Sequence, residues 1–310
     1  MRNLHVQALN KMEKIENFKH VYELLNINIG RINSINTVYY NELLPLVKWG
    51  ENRVIIQEDI NLLDKTDFNK LGYKIFDMNN YNDLLRRFIL NKIFFITGKR
   101  IALEKYHSQI TEDEHKKIIN SMPYKKNMYT EVNDFSDYIE KLVSESLGYD
   151  VKIFNNDLWF RICRPDSFSD MDYNPCHRDI YLDFYRNVVN IYLPVTGSNE
   201  NSALMLQPES HFFNESDIMV TKGGAYFKHT DKKYSVDAIV ASKIPLRMIR
   251  PNPSEQQVMI FSPYLIHGCS NNSNIDCTRF SMEVRFIKRD KKGIKQEEDF
   301  NNFLKSRNWR

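Results

Sequence analysis

The hydrophobic rhythm of the chain changes twice. Residues 1–65 are polar, with Met12, Ile15, Phe18, Val21, Tyr22 and Leu25 returning at three- and four-residue spacing. That is one apolar stripe of a helix. The stretch carries no motif and reads as a helical N-terminal extension, packed on the main domain or on a second subunit. From about Phe68 the pattern is mixed. Residues 71–77 (Leu-Gly-Tyr-Lys-Ile-Phe-Asp) read as a turn glycine and a short strand, and a helix follows with Leu84, Leu85, Phe88 and Ile89 on one face. Thr111-Glu112-Asp113-Glu114 has the form of a capping box opening another helix. Phe135, Tyr138, Ile139, Leu142, Val143 and Leu147 recur at helical spacing, and Gly148 is a natural stop. These helices are expected to cover one face of a sheet.

Beyond residue 150 the period falls toward two. Strands are expected at 157–164, around His177, and at 187–194, 203–207, 257–261 and 278–288, separated by clusters of Gly, Asn, Pro and Ser. Many short strands with few helices between them predict a sandwich or jelly roll. The expected class is therefore mainly β with flanking helices. It divides into an extension (1–65), a β domain (66–290) and a highly charged tail (291–310) read as a solvated end. The polar 214–243 stretch, with Lys222, Lys228, Lys232, Lys233 and Lys243, reads as a long insertion of the kind that forms a lid or binding loop.

Composition narrows the function classes. Hydrophobic residues make up 42% of the 310, enough for a substantial core, and the net charge of +3 is too small to argue for nucleic acid. Four cysteines (163, 176, 269, 277) form no C-x-x-C pair, so neither a disulfide scaffold nor a zinc knuckle is indicated, and they read as buried apolar fillers. No apolar run approaches a membrane span, and the first residues have no secretory h-region. The expectation is a cytoplasmic protein acting on a small molecule, without nucleic acid or membrane partners. Homo-oligomerisation through the N-terminal helices is left open.

The chemistry concentrates in Pro175-Cys176-His177-Arg178-Asp179-Ile180-Tyr181. Side chains two apart on a strand share a face, which places His177 and Asp179 roughly 6.5–7 Å apart along the backbone, a workable bite for one metal. A second imidazole completes the two-histidine, one-carboxylate facial triad that suits non-haem Fe(II) and leaves positions open. His267 is the candidate. A zinc site that adds Cys176 and Cys269 fails on strand alternation, because adjacent residues face opposite ways. Residues 279–286 alternate strictly, with Arg279, Ser281, Glu283 and Arg285 on one face and Phe280, Met282, Val284 and Phe286 on the other. A hairpin after His267 would bring Arg279 back beside it. A guanidinium there can grip a carboxylate bidentately. Glu283 and Arg285 share that inward face, either paired with each other or set to bind a polar substrate.

These pieces resemble the phytanoyl-CoA dioxygenase family of Fe(II)/2-oxoglutarate oxygenases over about residues 71–288. They are His177-Arg178-Asp179 with Tyr181 following, Leu206-Gln207-Pro208-Glu209-Ser210-His211, His267-Gly268 with Asn272-Ser273, and Arg279-x-Ser281. The family carries a Pro-Gly-Ser-His turn where this chain has Glu209, a departure that bears on the turn's geometry. The resemblance implies a double-stranded β-helix. It also implies Fe(II) on His177, Asp179 and His267, and 2-oxoglutarate held at its distal carboxylate by Arg279 and Ser281. Further cosubstrate contacts fall to Tyr192 or Asn190 and to Arg161 or Arg164. It implies consumption of O2, release of succinate and CO2, and hydroxylation of a substrate C–H, with desaturation or epimerisation as other outcomes of the same fold. Asp179 stands where related halogenases lack the carboxylate. A non-catalytic jelly-roll binding module is the rival from another class.

Overall fold

A computed structural model of the chain describes residues 47–49, 68–78, 81–121, 133–165, 175–221, 225–226, 233–234, 236–268 and 271–306. The strands are β1 (Val47–Trp49), β2 (Tyr73–Asp77), β3 (Val151–Cys163), β4 (Val188–Thr196), β5 (Met205–Leu206), β6 (Ile218–Thr221), β7 (Ala225–Tyr226), β8 (Lys233–Tyr234), β9 (Ile239–Ser242), β10 (Gln257–Phe261), β11 (His267–Gly268) and β12 (Arg279–Lys288). The longer helices are α1 (Tyr81–Thr97), α2 (Glu112–Ser121), α3 (Asn133–Leu147) and α4 (Lys291–Ser306).

Five strands form a major antiparallel sheet in the order β2-β10-β4-β12-β3. Its outer face is the apolar half of each alternating run. Phe280, Met282, Val284 and Phe286 of β12 and Val189, Ile191, Leu193 and Val195 of β4 pack with Leu85, Phe88, Ile89 and Ile93 of α1 and Phe135, Ile139 and Val143 of α3. The helices cover that face as expected. Local signals place their ends. Thr111 and Glu114 make the reciprocal capping-box bonds at 2.9 and 3.3 Å before α2, and Gly148 closes α3 at φ +72° with its N–H on the Ser144 carbonyl.

The minor sheet is built of shorter pieces. β6 lies between β1 and β9, and β11 pairs with β5. Cys176 and His177 join the two parts. Ile239 N–H donates to the Cys176 carbonyl at 2.7 Å, and His177 and His267 exchange backbone bonds at 2.9 and 3.0 Å. The chain thus alternates between sheets, from β3 to His177, β4, β5, β10, β11 and β12. Two facing antiparallel sheets wound in this way are a jelly roll, a double-stranded β-helix. Between them lie Tyr192, Met259 and Phe261 of the major sheet and Leu204, Leu206 and Leu265 from the opposite side.

Four expectations are corrected. Residues 1–46 lie outside the described residues, but Val47–Trp49, expected within the helical extension, is a strand paired with β6. The 214–243 stretch is not one long loop, since its ends form β6 and β9, with Ile218 opposite Ser242. Lys222, Lys228 and Lys232 lie outside the described residues, and Lys243 pairs with Asp217 at 3.7 Å. The charged tail is not a solvated end. Residues 291–306 form α4, whose Phe300 is buried against Phe154, Phe184 and Tyr185. The hairpin expected between His267 and Arg279 does not form, because β11 belongs to the minor sheet while β12 crosses to the major one. The crossing loop is pinned by Asn272, whose amide donates to the Cys163 and Cys277 carbonyls at 2.7 Å. Among the described residues, no helix is long and apolar enough to cross a membrane.

Candidate metal centre

His177 and His267 are held opposite one another by their mutual backbone bonds, which brings the imidazoles together with centroids 4.3 Å apart and planes inclined by 52°. Each ring is fixed by its own chain. His177 Nδ1 meets the Pro175 carbonyl at 2.6 Å and His267 Nδ1 meets the Leu265 carbonyl at 2.9 Å. A carbonyl only accepts, so each Nδ1 carries a proton, which leaves each Nε2 as the nitrogen available to a metal. Such anchoring is the usual way metal-bound histidines are oriented. Gly268, at φ +105°, permits the packing, because a Cβ there would stand 2.4 Å from the Pro175 carbonyl oxygen that orients His177.

Asp179 does not continue a strand from His177. It opens a 3-10 turn, Asp179–Tyr181, which folds its carboxylate back toward both rings. Oδ1 lies 3.3 Å from His177 Nε2 and 3.8 Å from His267 Nε2. One ligand atom from each of the three residues falls within 4.8 Å of the others, and all three residues are buried. Burial pushes the Asp179 carboxyl up, but Arg285 beside it holds it well below the usual carboxylate range. Burial and the neighbouring His177 push the His267 imidazole down to about 4. The set is therefore an anionic oxygen beside two imidazoles anchored at Nδ1, a donor set that fits a divalent transition metal. Arg178 points away and is wholly buried, bonding Glu215 and the Ser210 carbonyl, which ties the ligand segment to the turn at 207–211. In that turn Glu209 adopts the left-handed conformation, φ 65°, that a glycine would take. His211 is buried beside Phe212 and lies apart from the triad.

Register places the remaining candidates. Arg279, Ser281, Glu283 and Arg285 sit on the face of β12 opposite its helix-covered side, as the alternation predicts. Asn190 lies opposite Arg285, Tyr192 opposite Glu283, Arg161 opposite Ser281 and Cys163 opposite Arg279. Arg279 is buried, gives one nitrogen to the Ser202 carbonyl and another to Cys163 Sγ at 2.6 Å, and leaves Nε without a partner. The Ser281 hydroxyl is buried and also without a partner. Among the described residues no carboxylate lies within ion-pair distance of Arg279. These orphaned donors are what an anion would satisfy.

Glu283 and Arg285 do not pair with each other. Glu283 binds Arg161 through both oxygens at 3.3 Å, and Arg285 binds Asp179 at 3.1–3.3 Å. Arg161 thus pairs with Glu283, and Arg164 points to α2, where it bonds Glu112 at 2.5 Å. Asn190 donates to Asp179 Oδ2 at 2.7 Å, and the Tyr192 hydroxyl meets Ser198 at 3.0 Å. Sequence reasoning missed Arg250. Its guanidinium bonds the Ala203 carbonyl, next along the chain from the Ser202 carbonyl that Arg279 binds, and the Asn271 carbonyl at 3.1 Å. Burial and nearby Arg279 push its pKa down to about 10. Its segment carries no motif, and only an arginine set between Ile249 and Pro251 marks it. Cys163 is a buried free thiol, whereas Cys176 is disulfide-bonded and so is not the simple filler expected.

The fold and site define a jelly roll with a buried two-histidine, one-carboxylate centre. No protein-family model matches the chain, and no curated protein matches it. Solved structures do. The chain is similar to the iron and alpha-ketoglutarate-dependent endoperoxidase NvfI at 12% identity, over 73% of this chain and 82% of that one, with a TM-score of 0.42. It is similar to EctD from S. alaskensis with bound Fe at 13% identity, over 78% and 79%, with a TM-score of 0.43. It is similar to AviO1 from Streptomyces viridochromogenes Tue57 at 14% identity, over 75% and 95%, with a TM-score of 0.45.

Proposed function

We propose that this protein is an Fe(II)- and 2-oxoglutarate-dependent oxygenase acting on a small polar molecule, related to the phytanoyl-CoA dioxygenase family. The observation that carries the reading is the pairing of two features across the barrel. One is the convergence of His177 Nε2 and His267 Nε2 on a single Asp179 oxygen. The other is the buried, unpartnered Arg279 Nε and Ser281 hydroxyl on β12. A facial triad leaves three positions open, enough for a chelating oxo-acid and O2. Fe(II) with 2-oxoglutarate and O2 supplies the oxidising power when bound, releasing succinate and CO2.

The chain's own residues do the rest. His177, Asp179 and His267 hold the metal. Arg279 and Ser281 hold the distal carboxylate of 2-oxoglutarate, with Arg250 and Tyr192 adding polar surroundings. The apolar side chains between the sheets, Met259, Phe261 and Leu206, exclude water. The Arg161–Glu283 pair lines the same interior face and offers donors and an acceptor to hydroxyl groups of a substrate, which favours a sugar-like or biosynthetic intermediate. Asp179 keeps the third ligand in place, which favours hydroxylation of a C–H bond over halogenation. The test is anaerobic titration of metal-free protein with Fe(II) and 2-oxoglutarate, following the weak visible band of the chelate. The expected outcome is a band in the wild type that weakens in Arg279→Ala by roughly 30-fold or more in 2-oxoglutarate affinity, the scale of breaking a buried charge pair. No band in folded protein turns the reading to a binding module.

A further inference from the structure

The alternation of β12 places Arg285 among residues facing the barrel, where a polar substrate would be expected to meet it. The structure gives it another task. Its Nη2 lies 3.2 Å from Asp179 Oδ1 and 3.1 Å from Oδ2, and its Nε lies 3.3 Å from Oδ2. Asn190 adds a bond to Oδ2 at 2.7 Å. Oδ2 thus accepts from two residues through three contacts, whereas Oδ1 accepts only the 3.2 Å contact from Arg285 Nη2 and is the oxygen turned to the imidazole Nε2 atoms. A carboxylate free to rotate can chelate a metal through both oxygens and consume an extra position. One pinned through Oδ2 gives a single oxygen.

The guanidinium is itself seated. Its centre lies 4.3 Å from the centroid of the Tyr185 ring, an arrangement in which the planar cation is held by the ring face. Tyr185 is buried, and behind it stands Phe300 of α4, with centroids 6.0 Å apart. Phe300 packs in turn on Phe154 at 5.2 Å and Phe184 at 5.3 Å. The helix is tied down nearby, where Gln296 bonds the Phe184 carbonyl at 2.5 Å and Glu297 meets Lys152.

We propose that Arg285 is a positioning residue that holds Asp179 as a one-oxygen metal ligand, and that Tyr185 and the C-terminal helix brace it. The inference rests on the His177–Asp179–His267 metal site but not on the identity of the cosubstrate or substrate. It assigns the C-terminal segment a part in the centre's coordination, although none of its described residues is among the candidate ligands.

The test uses the full chain loaded with Mn(II) and the relaxation of water protons, which counts exchangeable waters on the ion. A one-oxygen Asp179 leaves roughly three waters on a six-coordinate ion, and a two-oxygen Asp179 leaves roughly two. Wild type is expected to show the higher count, and Arg285→Gln to lose about a third of the inner-sphere relaxivity. Arg285→Lys keeps the charge without the fork and falls between them. Tyr185→Leu keeps the guanidinium but removes its platform, and moves the same way by a smaller step. It serves where Arg285→Gln fails to fold. Wild-type relaxivity in both Arg285→Gln and Tyr185→Leu would overturn the proposal while leaving the metal site standing. Asp179→Ala separates the other failure. If it binds Mn(II) as tightly as wild type, the ion is not on the triad, and both the site and this inference fall.

Discussion

Single side chains in this protein carry charge into a barrel that offers little water to solvate it, so each must be matched. Glu283 shows how. Burial pushes its carboxyl up, but Arg161 and Arg285 pull it below the ordinary glutamate value. A carboxyl lowered on folding contributes stability above its unfolded pKa and loses it as pH falls through the folded value. Glu283→Gln is therefore expected to lower stability at neutral pH and to show a shallower fall of the unfolding midpoint below pH 4.5 than wild type. Parallel thermal melts across that range check it, and identical acid limbs would refute the assignment. Glu209 shows a different cost. A non-glycine residue in the left-handed region costs about 1 kcal/mol, and the chain bears it where the turn at 207–211 meets Arg178.

Elements differ in how plainly the sequence announces them, and the difference has a physical basis. β10 and β12 are legible to within a residue, because one face is buried under helices and period two is enforced along the whole run. The capping box before α2 is legible because it is a local exchange of bonds. β1 is not legible, since three residues pair with a strand 170 residues away, and nothing local encodes that. α4 is hidden for another reason. Charged residues dominate its sequence pattern, yet Phe300 is 7% exposed. Phe300→Ala is expected to destabilise the protein by about 3 kcal/mol, the low end for a buried phenylalanine. A shift of the urea midpoint without a change in slope would show it, and no shift would mean the helix is merely resting on the surface. At the site, the convergence of His177, Asp179 and His267 was readable from spacing and resemblance, and the inward face shared by Arg279 and Ser281 from alternation. The partners of Glu283 and Arg285 were not, because cross-strand register and a 3-10 turn decide them.

The molecule as a whole divides the site's labour between its two sheets. The histidines ride on the minor sheet, while Arg279 and Ser281 project from the major one. Facing sheets stand about 10 Å apart, a spacing set by the packing of the side chains between them. On the proposed reading, that gap is a gauge of molecular length. One end of the cosubstrate must chelate at the metal while the other reaches the guanidinium, so a chain one carbon shorter or longer fails at one end. Competition by oxaloacetate and 2-oxoadipate against 2-oxoglutarate, read from the chelate band, is expected to show both at least about tenfold weaker, the cost of one imperfect charged contact. Equal binding of all three would mean that the distal end is not held. Tolerance to cosubstrate length would then change with bulk added or removed between the sheets, at positions that touch neither end of the molecule being measured.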